Sequence, residues 1–218
     1  MGIPVLILGE SGIGKSSSLR NFEPDEIGVF SVAGKRLPFR KQLPVINTSD
    51  YEKIKAIITQ GDFKSYAIDD SQFLMATEFF DRAKETGYAK FTDIAVHFKK
   101  LIDHILMKTP PDTIVYFLHH IEARADGSGV KAKTIGKMLD EKLTVESLFT
   151  IVLLADIVNK QHVFVTTSDG TTPAKCPIED WETGKAMFDP IIPNDLKYVD
   201  TVIRDFYGMK EETKNAEA

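Results

Sequence analysis

Apolar residues recur along this chain in two rhythms. Ile3 to Leu8 is an unbroken run rich in β-formers that stops at Gly9, and similar short runs fill 27–32 (IGVFSV), 65–70 (SYAIDD), 113–120 (TIVYFLHH), 148–155 and 162–167. Such runs, bounded by turn residues, predict buried strands. Between them the spacing turns helical. Ser49 or Asp50 can cap a helix that runs to Gln60, with Gly61 as its stop, and a second helix spans 71–86 before Gly87. In 91–108, Phe91, Ile94, Ala95, Phe98, Leu101, Ile102 and Ile105 step by threes and fours, the stripe of a helix packed on a core. Asn194 or Asp195 starts a last helix with Leu196, Val199, Val202, Ile203 and Phe206 on one face. Strands alternating with helices predict an α/β fold with a mainly parallel sheet, one domain over 1–208. The segment 122–133 (EARADGSGVKAK) is polar and glycine-containing and reads as a mobile loop, and 209–218 (MKEETKNAEA) as a charged, frayed tail.

Composition narrows the class. With 43% hydrophobic and 27% charged residues, the 218-residue chain has an ordinary globular make-up and enough length for a sizeable core. A net charge of −5 supplies no overall basic field and counts against constitutive tight nucleic-acid binding. The single Cys176 excludes an intramolecular disulfide and suits a reducing cytoplasm. No apolar run approaches transmembrane length, so the expectation is a cytoplasmic protein with no membrane partner.

The most specific chemistry lies in Gly9-Glu10-Ser11-Gly12-Ile13-Gly14-Lys15-Ser16, directly after the first strand and followed by Ser17. Gly-x4-Gly-Lys-Ser is the P-loop pattern. Its glycines allow backbone N–H groups to wrap a phosphate, its lysine reaches the β- and γ-phosphates, and its serine hydroxyl ligates Mg²⁺. A helix starting near Lys15 would add its positive dipole end. A P-loop alone binds phosphate; hydrolysis also needs a carboxylate at a neighbouring strand end. Asp69 and Asp70 end the third predicted strand. One would hold Mg²⁺ opposite Ser16 and the other would orient the attacking water, with Asp69 favoured for the metal and Asp70 for the water. Glu78 is a further candidate base. His119 and His120 end the fourth strand, where a polar side chain can sense the γ-phosphate, and alternation sends only one of them into the site.

These residues carry a resemblance. PVLILGESGIGKSSSLRNF, SYAIDDSQFLM, TIVYFLHHIE and KTIGKMLDEKLTVESLFTIVLL together look like the bacteriophage-encoded ATP-binding proteins of the RecA-like group, some related to phage single-strand-annealing proteins used in recombination. The similarity spans about residues 3 to 207, nearly the whole chain. It implies a three-layer RecA-type P-loop fold, ATP with Mg²⁺, homo-oligomers and a role in DNA recombination or replication. One departure stands out. RecA-like recombinases carry a glutamate just after the second strand as catalytic base, and this chain has Val32-Ala33-Gly34-Lys35 there. The base then shifts to Asp70 or Glu78, or turnover is slow. Two other classes compete: a nucleotide or small-molecule kinase, disfavoured by the shortage of arginines, and a non-hydrolysing ATP-dependent switch or loader that presents a surface to a partner protein.

Single-stranded DNA, the partner implied, would meet KRLPFRK, where Lys35, Arg36, Arg40 and Lys41 surround Phe39. RecA-like ATPases commonly take a positive charge for the leaving γ-phosphoryl from the adjacent subunit. Arg124, Lys131, Lys133 and Lys137, in and after the polar loop, are the residues placed to give it.

Overall fold

A computed structural model of the chain describes residues 1–136 and 138–209, with the backbone alone at 140 and 141. Each apolar run forms a strand. β1 is Ile3–Gly9, β2 Ile27–Ser31, a short β3 Val45–Asn47, β4 Ser65–Asp69, β5 Ile114–Ala123, β7 Ile151–Val158 and β8 Gln161–Val165. Short strands that carry too few apolar residues to stand out complete the set: β6 (Val130–Ala132), β9 (Ile178–Asp180), β10 (Lys185–Ala186) and β11 (Ile191–Pro193). The helices are α1 (Tyr51–Gln60), α2 (Gln72–Asp81), α3 (Ala89–Lys108) and α4 (Leu196–Phe206).

The main sheet runs β11-β8-β7-β1-β5-β4-β2-β3. β1, β2, β3, β4, β5 and β7 are parallel, whereas β8 lies antiparallel to β7 and β11 antiparallel to β8. Two strands deserve note for the site. β1 is flanked by β5 and β7, and β5 separates it from β4, so the C-terminal ends of β1, β5 and β4 open on one edge.

Both faces of the sheet are covered, which is why the strands are apolar at nearly every position. Leu6, Leu8, Phe30, Ile68 and Phe117 pack with Ile54 and Ile58 of α1, Leu74 and Met75 of α2, and the stripe Ile94, Phe98, Leu101 and Ile105 of α3. Val5, Ile7, Val29, Ala67 and Leu118 pack on the opposite face with Leu19, Phe22 and Leu196, Val199 and Ile203 of α4. Burying each of these large side chains is worth roughly 1.5–3 kcal/mol.

Caps fall close to where the sequence puts them. Asp50 accepts from the N–H groups of Glu52 and Lys53, and Gly61 closes α1 at φ 76°. Asp195, rather than Asn194, caps α4. α2 stops at Asp81, earlier than the expected residue 86. Beyond the stop, the Lys90 ammonium collects the carbonyls of Glu85 and Arg82 while lying over the rings of Phe79 and Phe91. Two other expectations are corrected. The helix after the P-loop is a six-residue 3₁₀ turn, Ser16–Asn21. In that serine-rich stretch the Ser18 hydroxyl bonds the carbonyl of Lys15, and such side-chain bonds compete with α-helical pairing. The segment 122–133 is not an irregular loop. β5 continues to Ala123 and pairs antiparallel with β6, closing a hairpin through Arg124–Gly129. Of the predicted tail, residues 210–218 lie outside the described residues.

Candidate phosphate and metal site

The loop after β1 has the backbone its glycines allow. Gly12 and Gly14 sit at φ 80° and 106°, in the left-handed region where a side chain would be strained. At Gly14 a Cβ would also come within 3.0 Å of Nδ1 of His162. That histidine, from β8, meets the carbonyl of Ile13 at 2.8 Å and steadies the loop from outside. Glu10 and Ser11 project into solvent at the rim. Lys15 is buried, and its ammonium donates to the carbonyls of Gly9 and Glu10, both at 2.7 Å. Burial pulls its pKa down to about 8, against the opposing pull of Asp70 and Asp69.

Ser16 follows directly, and its hydroxyl donates to Oδ1 of Asp69 at 2.7 Å across 53 residues of sequence. Asp69 is buried at the end of β4, and burial raises its pKa even though the Ser16 bond works the other way. Asp70 is next, at φ 56°, a left-handed conformation uncommon for a residue with a side chain and characteristic of functional loops. Its two oxygens meet different partners. Oδ1 accepts from Nε2 of His120 at 3.1 Å, and Oδ2 pairs with the ammonium of Lys35 at 3.0 Å. Those hydrogen bonds, His120 foremost, pull the Asp70 carboxyl down to about 2, so it is a permanent anion near neutral pH.

The paired histidines divide as alternation requires. His120 faces Asp70, with its ring edge-on to Phe73. His119 turns to the other face and is wholly buried: Nδ1 accepts from the Ser71 hydroxyl at 2.9 Å and Nε2 donates to the carbonyl of Lys133 at 2.8 Å. Burial drops its pKa to about 4, and it holds the structure neutral rather than sensing a phosphate.

Glu78 is the clearest correction. It faces α3 and α1, bonding Nδ1 of His97 at 2.9 Å and Arg82 at 3.1 Å, and lines a cleft of about 560 Å³ with Tyr51, Lys55 and Lys100. No P-loop residue lines that cleft, so Glu78 is no base for this site. The basic cluster is divided too. Arg36 and Arg40 are exposed and form no ion pair among the described residues. Phe39 is half-buried against the core, and Lys41 is held by Glu23 and the Phe22 carbonyl. Lys35 pairs with Asp70, a partner 35 positions further along the chain that sequence reasoning did not find.

The residues expected to act in trans are divided as well. Arg124 and Lys131 line a cavity of about 320 Å³ with Thr134, Val145 and Glu146, and Lys131 lies 3.6 Å from Glu122. Lys133 is exposed and contributes its backbone to both histidines; Lys137 lies outside the described residues.

The donor set suits a hard cation beside a phosphate. Ser16 and Asp69 bring two oxygens together, and among the described residues no group of three or more His, Cys, Asp or Glu side chains forms a complete metal site. Mg²⁺ matches that arrangement, since it is bound through one or two carboxylates and completes its shell with phosphate oxygens and water. Among the described residues no helix is long and apolar enough to cross a membrane. No protein-family model matches this sequence, and no curated protein matches it significantly.

Proposed function

We propose that this chain binds ATP with Mg²⁺ in the loop Gly9–Ser17 and hydrolyses it, as a RecA-like P-loop ATPase acting on DNA. The observation that carries the reading is the 2.7 Å contact between Ser16 and Asp69. A P-loop hydroxyl and a strand-end carboxylate, remote in sequence, meet where the metal of a nucleotide would have to lie. Lys15 supports it further. Its ammonium is buried on two neutral carbonyls of its own loop, acceptors that anionic phosphate oxygens can replace with full ion pairs.

Bound there, the triphosphate would lie against the loop N–H groups and Lys15, with Mg²⁺ held by Ser16 and Asp69. The metal supplies charge neutralisation and Lewis acidity at the phosphates. Asp70 and His120 stand beside it to orient a water. ATP as the nucleotide, recombination or replication as the setting, and an oligomer as the working form rest on the resemblance, whose general part lies in GESGIGKS and SYAIDD and whose narrower part lies mostly in GKMLDEKLTVESLF.

One observation favours the non-hydrolysing switch as a second reading. Asp70, the water-side carboxylate, is held at both oxygens and has a pKa near 2, too low for an efficient general base. Phosphate release measured with and without single-stranded DNA separates the readings: hydrolysis, raised by DNA, fits the ATPase, and binding without turnover fits the switch. Lys15→Ala should abolish nucleotide binding in a folded protein. Unchanged affinity in that variant would remove the P-loop assignment.

A further inference from the structure

We infer that Lys35 is the second phosphate-binding cation of this site, contacting the terminal phosphate of a bound nucleoside triphosphate from within the same chain. The inference rests on the nucleotide reading above and assigns Lys35 away from the DNA-binding cluster in which the sequence places it.

The backbone delivers Lys35 to the site. β2 pairs with β4 in the register Ser31 to Asp69, so the residues after Ser31 leave the sheet at the edge where the carboxylates stand. The N–H of Val32 bonds the carbonyl of Asp69. A tight turn then reverses the chain: Gly34 adopts φ 68°, and the Ser31 hydroxyl donates to the carbonyl of Lys35 at 3.0 Å. The side chain comes back across the end of β4 to reach Asp70, and its ammonium lies 5.3 Å from the centre of the Phe73 ring. It is close enough to Lys15 for the two ammonium groups to repel.

The contact is also one that can be exchanged. The Lys35 side chain is 64% exposed while its partner Asp70 is 13% exposed, so the anion is enclosed and the cation lies open to solvent. Exposed ion pairs of this kind contribute little to stability. Two ammonium groups, Lys15 and Lys35, face two carboxylates, Asp69 and Asp70; the Mg²⁺ complex of a triphosphate adds net negative charge to that balanced set. A diphosphate occupying the same loop would place no group as far out as the γ-phosphate. Lys35 is thus positioned to distinguish triphosphate from diphosphate.

Several other cations are committed elsewhere, whereas Arg36 and Arg40 are exposed and form no ion pair among the described residues. Arg20 donates to the carbonyls of Ser17 and Asn194, Lys41 pairs with Glu23, and Arg124 lines the cavity beside β6. The charge expected from a neighbouring subunit is thereby available in cis.

The test is equilibrium binding of a non-hydrolysable ATP analogue and of ADP, each with Mg²⁺, to wild type, Lys35→Met and Lys35→Arg. Lys35→Met should weaken the triphosphate by about tenfold and ADP by less than about twofold, the loss of one charge-assisted contact. Lys35→Arg should restore most of the discrimination. Thermal unfolding should be unchanged for both variants, since the side chain is exposed. Equal losses for the two nucleotides, or none, would overturn the inference. So would a loss confined to single-stranded DNA, which would return Lys35 to the basic cluster. If wild type binds neither nucleotide, the functional reading itself fails, and this inference with it.

Discussion

Each end of β4 meets an acid network, and the two are built to different rules. At the N-terminal end, Asp200 of α4 is buried with both oxygens engaged: Oδ2 accepts from the hydroxyls of Ser65 and Tyr116, and Oδ1 from Nε of Arg204 at 2.5 Å. Arg204 in turn donates to the carbonyls of Asp112 and Lys64 and to Ser65. Every partner is a backbone carbonyl or a side chain on a packed element, so the network bolts α4 to the sheet. At the C-terminal end, Asp69 and Asp70 are met by Ser16, His120 and Lys35, and Lys15 is turned onto its own loop. Those contacts come from a turn, a strand end and an exposed lysine, each of which the proposed nucleotide complex would exchange for a ligand atom. One network stores stability; the other holds charges ready.

The largest expected effect breaks the first network. Asp200→Ala strands Arg204, Ser65 and Tyr116 without their acceptor, and removing one member of a buried ion pair costs about 3–5 kcal/mol. Urea denaturation should show that loss, with nucleotide affinity of the folded fraction intact. A loss below about 1 kcal/mol would mean the bolt is not one.

The boundary between the two kinds of network runs between adjacent histidines, and pH can locate it. His119 has a folded pKa near 4 against 6.5 for an unperturbed histidine. Between those values the unfolded chain takes up a proton that the folded one refuses. Stability from the neutral ring is therefore present above about pH 6.5 and lost as pH falls toward 4, by about 3 kcal/mol. His119→Gln keeps a donor and an acceptor without the titration, so its stability should fall less over that window. Parallel curves for variant and wild type would place His119 outside the core.

A smaller effect is expected at Asp69. Asp69→Asn keeps an acceptor for Ser16 and removes a buried charge, so stability should change by no more than about 1 kcal/mol. The function should change more: the Mg²⁺ concentration needed for nucleotide binding should rise, measured by titrating Mg²⁺ at fixed nucleotide. An unaltered Mg²⁺ requirement would move the metal ligand to Asp70.

The same contrast explains what was legible in the sequence. GESGIGKS and the Asp69-Asp70 pair are local patterns recognisable from spacing alone, and the structure brings Ser16 and Asp69 together. The parallel strands were legible because burial on both faces makes them continuously apolar. Asp200 was not, since on the helix stripe of α4 it looks like any polar position, and its meaning depends on Ser65, 135 residues away. The partner of Lys35 was hidden for the same reason: its neighbours in sequence are basic, and its neighbour in space is Asp70. Glu78 follows closely on the carboxylate pair in sequence, but α2 carries it to the cleft beside α3.

The smallest effect on stability is expected at Arg36 and Arg40, which belong to neither network. Both are exposed, form no ion pair among the described residues, and replacing both with Ser should leave stability within about 0.5 kcal/mol of wild type. That indifference makes the pair a clean probe of the DNA reading. The basic cluster is weaker than its sequence suggests: Lys35 is drawn to Asp70, Lys41 to Glu23, and the half-buried Phe39 presents little ring to stack on a base. What remains is two guanidinium groups, suited to phosphates and not to bases. If they track a single strand, affinity should fall with salt, and the double variant should reduce the slope of log affinity against log salt by about 1.4, two contacts at 0.7 each. A slope unchanged by the double substitution would place DNA on another surface or remove it as a partner, while leaving the proposed nucleotide site at Lys15, Ser16 and Asp69 untouched.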